Sequence, residues 1–247
     1  MIYDTGDTHA LQCKWVKEIH PILKSGDILI VNGDFGIGFW DGEYCSEEMF
    51  YDWIAQQSYT VLFIDGNHEN FDKLDQYPVH FWNGGKVHKI RHNLIHLMRG
   101  EVYEIEKKTI FAFGGGYSVD RCCRIEHVSW WNREMPNHEE YQNAIKNLKQ
   151  VNYQVDYIIT HTAPLETVFY LSSCRNLHIK KMVEKELPLN TFLDEIQRKV
   201  NYKQWYFGHF HVDKELWRDQ IAVLSCIREL DSGKIVKQWK SYEGNFC

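Results

Sequence analysis

The sequence predicts an α/β fold in which a pair of mixed β-sheets is flanked by helices. Two observations carry that expectation. Through the first third of the chain short apolar runs alternate with helix-like stretches, the pattern of βαβ units. From Lys86 to Gly116 the pattern changes to short strands joined by turns, which points to antiparallel pairing.

Taken in order, Ile2 to Thr5 reads as a strand and Leu11 to Lys24 as a helix, with Pro21 placed to cut it short. Asp27 to Val31 is a second strand, and Cys45 to Gln57 a helix with Ser46 as its N-cap. Thr60 to Ile64 is the third strand. Glu106 to Thr109 separates Val102-Tyr-Glu-Ile from Ile110-Phe-Ala-Phe as a hairpin turn would. Asn137 to Gln150 and Leu189 to Val200 read as helices, Val155 to Thr160 as a strand, and the tail from Gln204 returns to strands.

The 247 residues are 44% hydrophobic and 15% aromatic, enough for one substantial core, and the expected organisation is a single domain over residues 1–247. No apolar run approaches the roughly 18 residues that span a bilayer, and no basic-then-apolar signal opens the chain, so a cytoplasmic protein without a membrane partner is expected. Seven cysteines, none in a C-x-x-C pair, suggest reduced thiols rather than a disulfide framework. A net charge of -6 disfavours a binder that grips duplex nucleic acid by neutralising phosphates, while leaving small phosphate esters open.

The strongest signal is a recurrence. Five apolar runs each end abruptly in residues able to bind metal. Ile2-Tyr3 leads to Gly6-Asp7-Thr8-His9, and Ile28-Leu-Ile-Val to Asn32-Gly33-Asp34. Val61-Leu-Phe-Ile leads to Asp65-Gly66-Asn67-His68-Glu69, Tyr157-Ile-Ile to Thr160-His161, and Trp205-Tyr-Phe to Gly208-His209-Phe210-His211. Strand ends are where open α/β sheets bind ligands. Carboxylate, imidazole and amide oxygen without thiolate suit Mn, Fe or Zn at an open hydrolytic site, whereas a closed structural zinc site favours cysteine. Two ions roughly 3.5 to 4 Å apart can clamp a phosphoryl group and generate a hydroxide nucleophile.

Taken singly, these residues have ordinary readings. Asp7 and Asp34 suit turns or helix caps, Asn67 a turn, and His161 a hydrogen-bonded core histidine; only their company reverses the balance. His20, His80, His88, His92, His96, His127, His138 and His178 lie outside the five blocks and read as structural or exposed. The irregular stretch from Tyr117 to Pro136, with Arg121, Arg124, Trp130, Trp131 and Arg133, is either a lip over a site or, for at least one tryptophan, cover for a core edge.

The five blocks in this order resemble the calcineurin-like metallophosphoesterase superfamily, whose pattern reads D-x-H, G-D, G-N-H-D/E, H and G-H-x-H. The match runs from Asp7 to His211, and Gly-Asp-Phe-Gly at 33–36 with Gly-Gly-Lys-Val-His at 84–88 resembles its small bacterial members. The resemblance implies a four-layer α/β/β/α sandwich and hydrolysis of phosphate esters through a metal-bound hydroxide, with two divalent or trivalent ions as cofactors. Carried over residue by residue, it implies that Asp7, His9 and His211 hold one ion, that Asn67, His161 and His209 hold the other, and that Asp34 bridges them. His68 is then the catalytic residue beside the phosphate, protonating the leaving oxygen or stabilising the phosphoryl charge. Two departures stand out. Where phosphoprotein phosphatases continue as G-D-x-x-D-R, this chain has Ile37 and Gly38. A partner for His68 must come from elsewhere, with Asp41, Asp65 and Glu69 as candidates, and a phosphate-holding arginine from Arg99, Arg121, Arg124 or Arg133. Ala10 also stands where glycine is common. Phosphoprotein, nucleotide and cyclic-nucleotide substrates all remain open, as do a noncatalytic scaffold with the same fold and a nuclease of the superfamily.

Overall fold

The computed structural model describes residues 1–39, 45–175 and 179–240, side chains 172, 174, 175 and 179–183 excepted. The chain opens with β1 (Ile2–Thr5) and α1 (Gln12–Lys14), which continues as a π-helical turn over Trp15–Ile19 and ends before Pro21. Next come β2 (Ile28–Val31), α2 (Glu47–Ala55), β3 (Thr60–Phe63) and the short α3 (Phe71–Leu74). Five strands run on from there: β4 (Val79–Trp82), β5 (Gly85–Lys89), β6 (Leu94–Leu97), β7 (Glu101–Ile105) and β8 (Lys108–Phe113). The second half holds α4 (His138–Gln150), β9 (Tyr157–Thr160), α5 (Leu165–Arg175), α6 (Ile179–Lys199), β10 (Gln204–Phe207), β11 (Lys214–Glu215), β12 (Gln220–Ala222), β13 (Cys226–Glu229) and β14 (Ile235–Gln238).

The strands form two mixed sheets, one in the order β14-β13-β1-β2-β3-β6-β5-β4 and one in the order β11-β12-β10-β9-β8-β7. Because successive side chains of a strand point to opposite faces, each central strand feeds two cores. Ile30 and Leu62 meet Ile110, Ile159 and Tyr206 between the sheets. Leu29, Val31, Val61 and Phe63 face the other way onto Trp15, Phe50 and Ile54 of α1 and α2. On the second sheet Ile158, Trp205 and Phe207 pack against Leu148, Leu193 and Ile196 of α4 and α6. The layers therefore run α/β/β/α.

Helix starts follow local chemistry. Ser46 accepts from the Met49 amide at 3.4 Å, and Asn137 with Glu140 makes a capping box that opens α4. The expected start of the last helix at Leu189 needs correction. Helix α6 begins at Ile179 and runs through Pro188, with Leu189, Leu193 and Ile196 buried beneath it. Packing of that stripe outweighs the missing proline amide. No helix among the described residues is long and apolar enough to cross a membrane.

Topology explains the recurrence of the five blocks. Strands β1, β2 and β3 are parallel neighbours in register, with Thr5 opposite Val31 and Val31 opposite Phe63. In the second sheet β9 and β10 are parallel neighbours with Thr160 opposite Phe207. Parallel pairing carries all the loops that follow these strands to the same end of their sheets.

Candidate metal centre

Asp7 and His9 follow β1, Asp34 follows β2, Asn67 and His68 follow β3, His161 follows β9, and His209 and His211 follow β10. The chain bends sharply at these positions. His9, Ala10, Asp34, His209 and His211 all adopt left-handed backbone with φ between 49° and 66°, a conformation costing roughly 1 kcal/mol for a non-glycine residue and concentrated at functional sites. Two glycines make room: a Cβ on Gly66 would overlap the Asp34 carboxylate, and one on Gly208 would overlap that of Asp7.

One group comprises Asp7, His9 and His211, each offering a ligand atom within 4.8 Å of the others. His211 Nε2 lies 3.2 Å from Asp7 Oδ2, and the His9 and His211 rings meet edge-on at 5.5 Å. The other group comprises Asn67, His161 and His209. His161 Nε2 lies 3.1 Å from Asn67 Oδ1, and the His161 and His209 rings are 4.8 Å apart. Asp34 stands between the groups, its Oδ2 3.9 Å from His9 Nδ1 and its Oδ1 3.4 Å from His161 Nε2.

These side chains are held from behind. His161 Nδ1 donates to the Asn32 carbonyl at 2.8 Å, which leaves Nε2 with a free lone pair directed at Asn67 and Asp34. Asn67 Nδ2 donates to Ser118 Oγ at 3.1 Å, turning its oxygen toward His161. The Asp7 carboxylate accepts from the His209 amide, and Asp34 Oδ1 accepts from the His68 amide at 2.7 Å.

Burial and charge pull in opposite directions here. Burial acts to raise the Asp7 carboxyl, but His211, His161 and His9 outweigh it and hold it below the usual carboxylate range. Asp34 behaves alike, burial opposed by His161, His68 and His9. Burial pushes His9 down, and His68 down to about 3, so both favour the neutral imidazole that ligands a metal or donates a hydrogen bond. The donor set fits an open di-metal site: oxygen and imidazole ligands, and a carboxylate with one oxygen toward each group.

The partners suggested for His68 need correction. Asp65 is taken by Arg99, at 2.5 and 2.8 Å, and by His96 at 3.1 Å. Glu69 accepts the backbone amides of Phe35, Gly36 and Ile37 and so fixes the loop after β2. Asp41 lies outside the described residues. Arg124 is what faces His68, with Nη1 3.3 Å from Nδ1, and it is anchored by Asp120 at 2.7 Å and the Ser129 carbonyl at 3.1 Å. The other three arginines are engaged elsewhere: Arg99 with Asp65, Arg121 with Glu134, and Arg133 with Asp75 and Glu140. The loop from Tyr117 to Pro136 divides its tryptophans. Trp131 is 1% exposed in a core and donates to Asp72, while Trp130 packs under the Arg121 guanidinium.

Glu186 escaped the sequence reading. It is fully buried, with Oε1 3.3 Å from His209 Nε2. A signal existed: Glu186 and Asn190 fall on the same helical stripe as Leu189 and Leu193, where a polar side chain needs a buried partner.

The family model for calcineurin-like phosphoesterases matches residues 2–213. No curated protein matches the chain. With that match spanning all five strand-end blocks, the chain belongs to the calcineurin-like phosphoesterase family and so, in general class, to the metal-dependent phosphoesterases.

Proposed function

We propose that this protein hydrolyses phosphate esters at a dinuclear metal centre. Asp7, His9 and His211 hold one ion, Asn67, His161 and His209 the other, and Asp34 bridges them. The observation that supports this most directly is the Asp34 carboxylate, whose two oxygens face a histidine from each group, at 3.9 Å and 3.4 Å. When bound, Mn, Fe or Zn ions supply Lewis acidity and a nucleophile at neutral pH.

The chain's own residues do the rest. Asn32 and Ser118 fix the ring and amide of the second group, so that the lone pairs converge without reorganisation. A guanidinium only donates, so Arg124 against Nδ1 places the His68 proton on Nε2. His68 then suits stabilising the phosphoryl charge better than delivering a proton. Arg124, the arginine at the site's edge, holds the phosphate of the incoming ester.

Elemental analysis of purified protein, alongside turnover of p-nitrophenyl phosphate and its bis ester with added Mn before and after chelation, tests the reading. Two equivalents of metal with chelator-sensitive hydrolysis are expected, and the preferred ester separates monoesterase from diesterase. Stable protein with neither metal nor turnover overturns the reading in favour of a noncatalytic scaffold. Asp34→Asn is expected to lose both ions and to lower turnover on the order of 10^4-fold, the scale seen when a residue serving a whole catalytic unit is removed; retained activity removes the bridge.

A further inference from the structure

We infer that Glu186, from the middle of α6, is a positioning residue that fixes the tautomer and direction of His209, and through it the second ion site. This rests on the metal centre proposed above. Each ligating imidazole must present a lone pair from one nitrogen, so its other nitrogen carries the proton and needs an acceptor. For His161 that acceptor is the Asn32 carbonyl. For His209 the backbone offers no aligned acceptor, and Nε2 is buried without an aligned hydrogen bond. The group facing it is Glu186 Oε1 at 3.3 Å. A carboxylate there selects the Nε2–H tautomer and leaves Nδ1 as the ligating atom.

Glu186 is itself held on every side. Oε1 accepts the Tyr117 amide at 2.9 Å, and Oε2 accepts the Thr162 hydroxyl at 3.0 Å and Asn190 Nδ2 at 3.2 Å. Tyr117 lies beyond β8, Thr162 directly follows His161, and His209 follows β10. One carboxylate thus joins the loops after three adjacent strands of the second sheet. The Asn190 amide, one helical turn on, also reaches the Ala163 carbonyl at 3.0 Å, so the group that holds Glu186 Oε2 is itself anchored. The 3.3 Å separation exceeds that of a strong charge-assisted bond, and it is expected to shorten when Nδ1 is drawn to a metal.

The first test needs no variant: long-range 1H–15N NMR of metal-free protein at alkaline pH reports the tautomer of His209. Nε2–H is expected; Nδ1–H overturns the inference. The second is Mn titration by calorimetry of wild type, Glu186→Gln and Glu186→Ala. Both variants are expected to keep the affinity of the first equivalent and to bind the second about 10- to 100-fold more weakly, the usual scale for removing an outer-shell partner. A purely structural role would instead lower both equivalents together, and wild-type affinity at both overturns the inference. If wild type itself takes up no manganese, the metal reading falls, and the tautomer alone decides whether Glu186 orients the ring.

Discussion

His9 and His211 stand at a rim that solvent reaches, their side chains 13% and 33% exposed, whereas Asp7 beneath them and His161 and Asn67 of the other group lie almost wholly buried. The rim group is shaped largely by backbone: His9, Ala10 and His211 are all left-handed, with φ of 49°, 51° and 50°. The deep group shares the left-handed backbone only at His209, with φ of 66°, and is otherwise shaped by polar contacts, His161 to a carbonyl, Asn67 to Ser118, and His209 against Glu186. Behind it lies a further buried network in which Asp65 joins Arg99 and His96, and His96 meets His88 at 3.2 Å. On the proposed reading, left-handed backbone with exposed side chains suits the side where an ester would enter, and hydrogen-bonded side chains suit the side that would hold an ion through many turnovers.

The largest expected effect breaks this comparison if it fails. His161→Ala removes a proposed ligand and opens a hole among buried polar groups, so the metal-free protein should lose about 2–3 kcal/mol, near the upper end for single substitutions. His211→Ala, at the rim, should cost about 1 kcal/mol or less before metal is added. Urea midpoints in the presence of chelator measure both, and equal losses would erase the distinction between rim and deep group.

A second expectation concerns the entrance. Arg124→Ala should raise KM for a phosphate monoester about 10- to 100-fold at unchanged metal content, the scale of one charge-assisted hydrogen bond. Arg124→Lys should restore only part of it, lacking the planar fork. An unchanged KM would detach Arg124 from the substrate.

The network behind the deep group makes a pH expectation. Burial, with His96 beside it, lowers His88 from 6.5 to about 4. Unfolded, this histidine takes a proton as the pH falls below 6.5, while folded it resists until about 4. Its contribution is therefore complete above pH 6.5 and is lost progressively down to pH 4. At about 1.4 kcal/mol per pH unit across that window it amounts to at most about 3.5 kcal/mol. The difference in stability between wild type and His88→Asn, followed across that window, should shrink as the pH falls; a constant difference would show that His88 does not resist protonation.

The smallest effect lies at the rim. Ala10 has φ of 51°, so Ala10→Gly should relieve strain and raise stability by up to about 1 kcal/mol, part of it offset by the freer unfolded chain. A lower melting temperature would mean that the Ala10 methyl, in contact range of Gly36, contributes more by packing than its backbone costs.

Much of the fold was legible because its signals are local. Ile28–Val31 and Thr60–Phe63 are apolar and β-branched enough to be strands in any context, and Ser46 and Asn137 cap helices through contacts three residues away. Helix α6 starts at Ile179 rather than at the expected Leu189, because the burial of Leu189 and Leu193 carries the helix through Pro188. The strand-end blocks were legible for a different reason: the residue types that bind metal are few, and their recurrence after five apolar runs is improbable without a shared site.

The sequence by itself determined which strands exist, which residue types end them, and hence the chemistry available to the protein. Tertiary structure alone decided that those ends meet, through parallel registers that bring His161 against a carbonyl 129 residues away and His209 against a carboxylate 202 residues away. It also decided which of four arginines faces His68 and which glutamate faces His209. Those choices depend on charged atoms approaching within about 3 Å in a buried setting, where ionic and hydrogen-bonding forces are strongest, and no spacing along the chain encodes a distance of that kind.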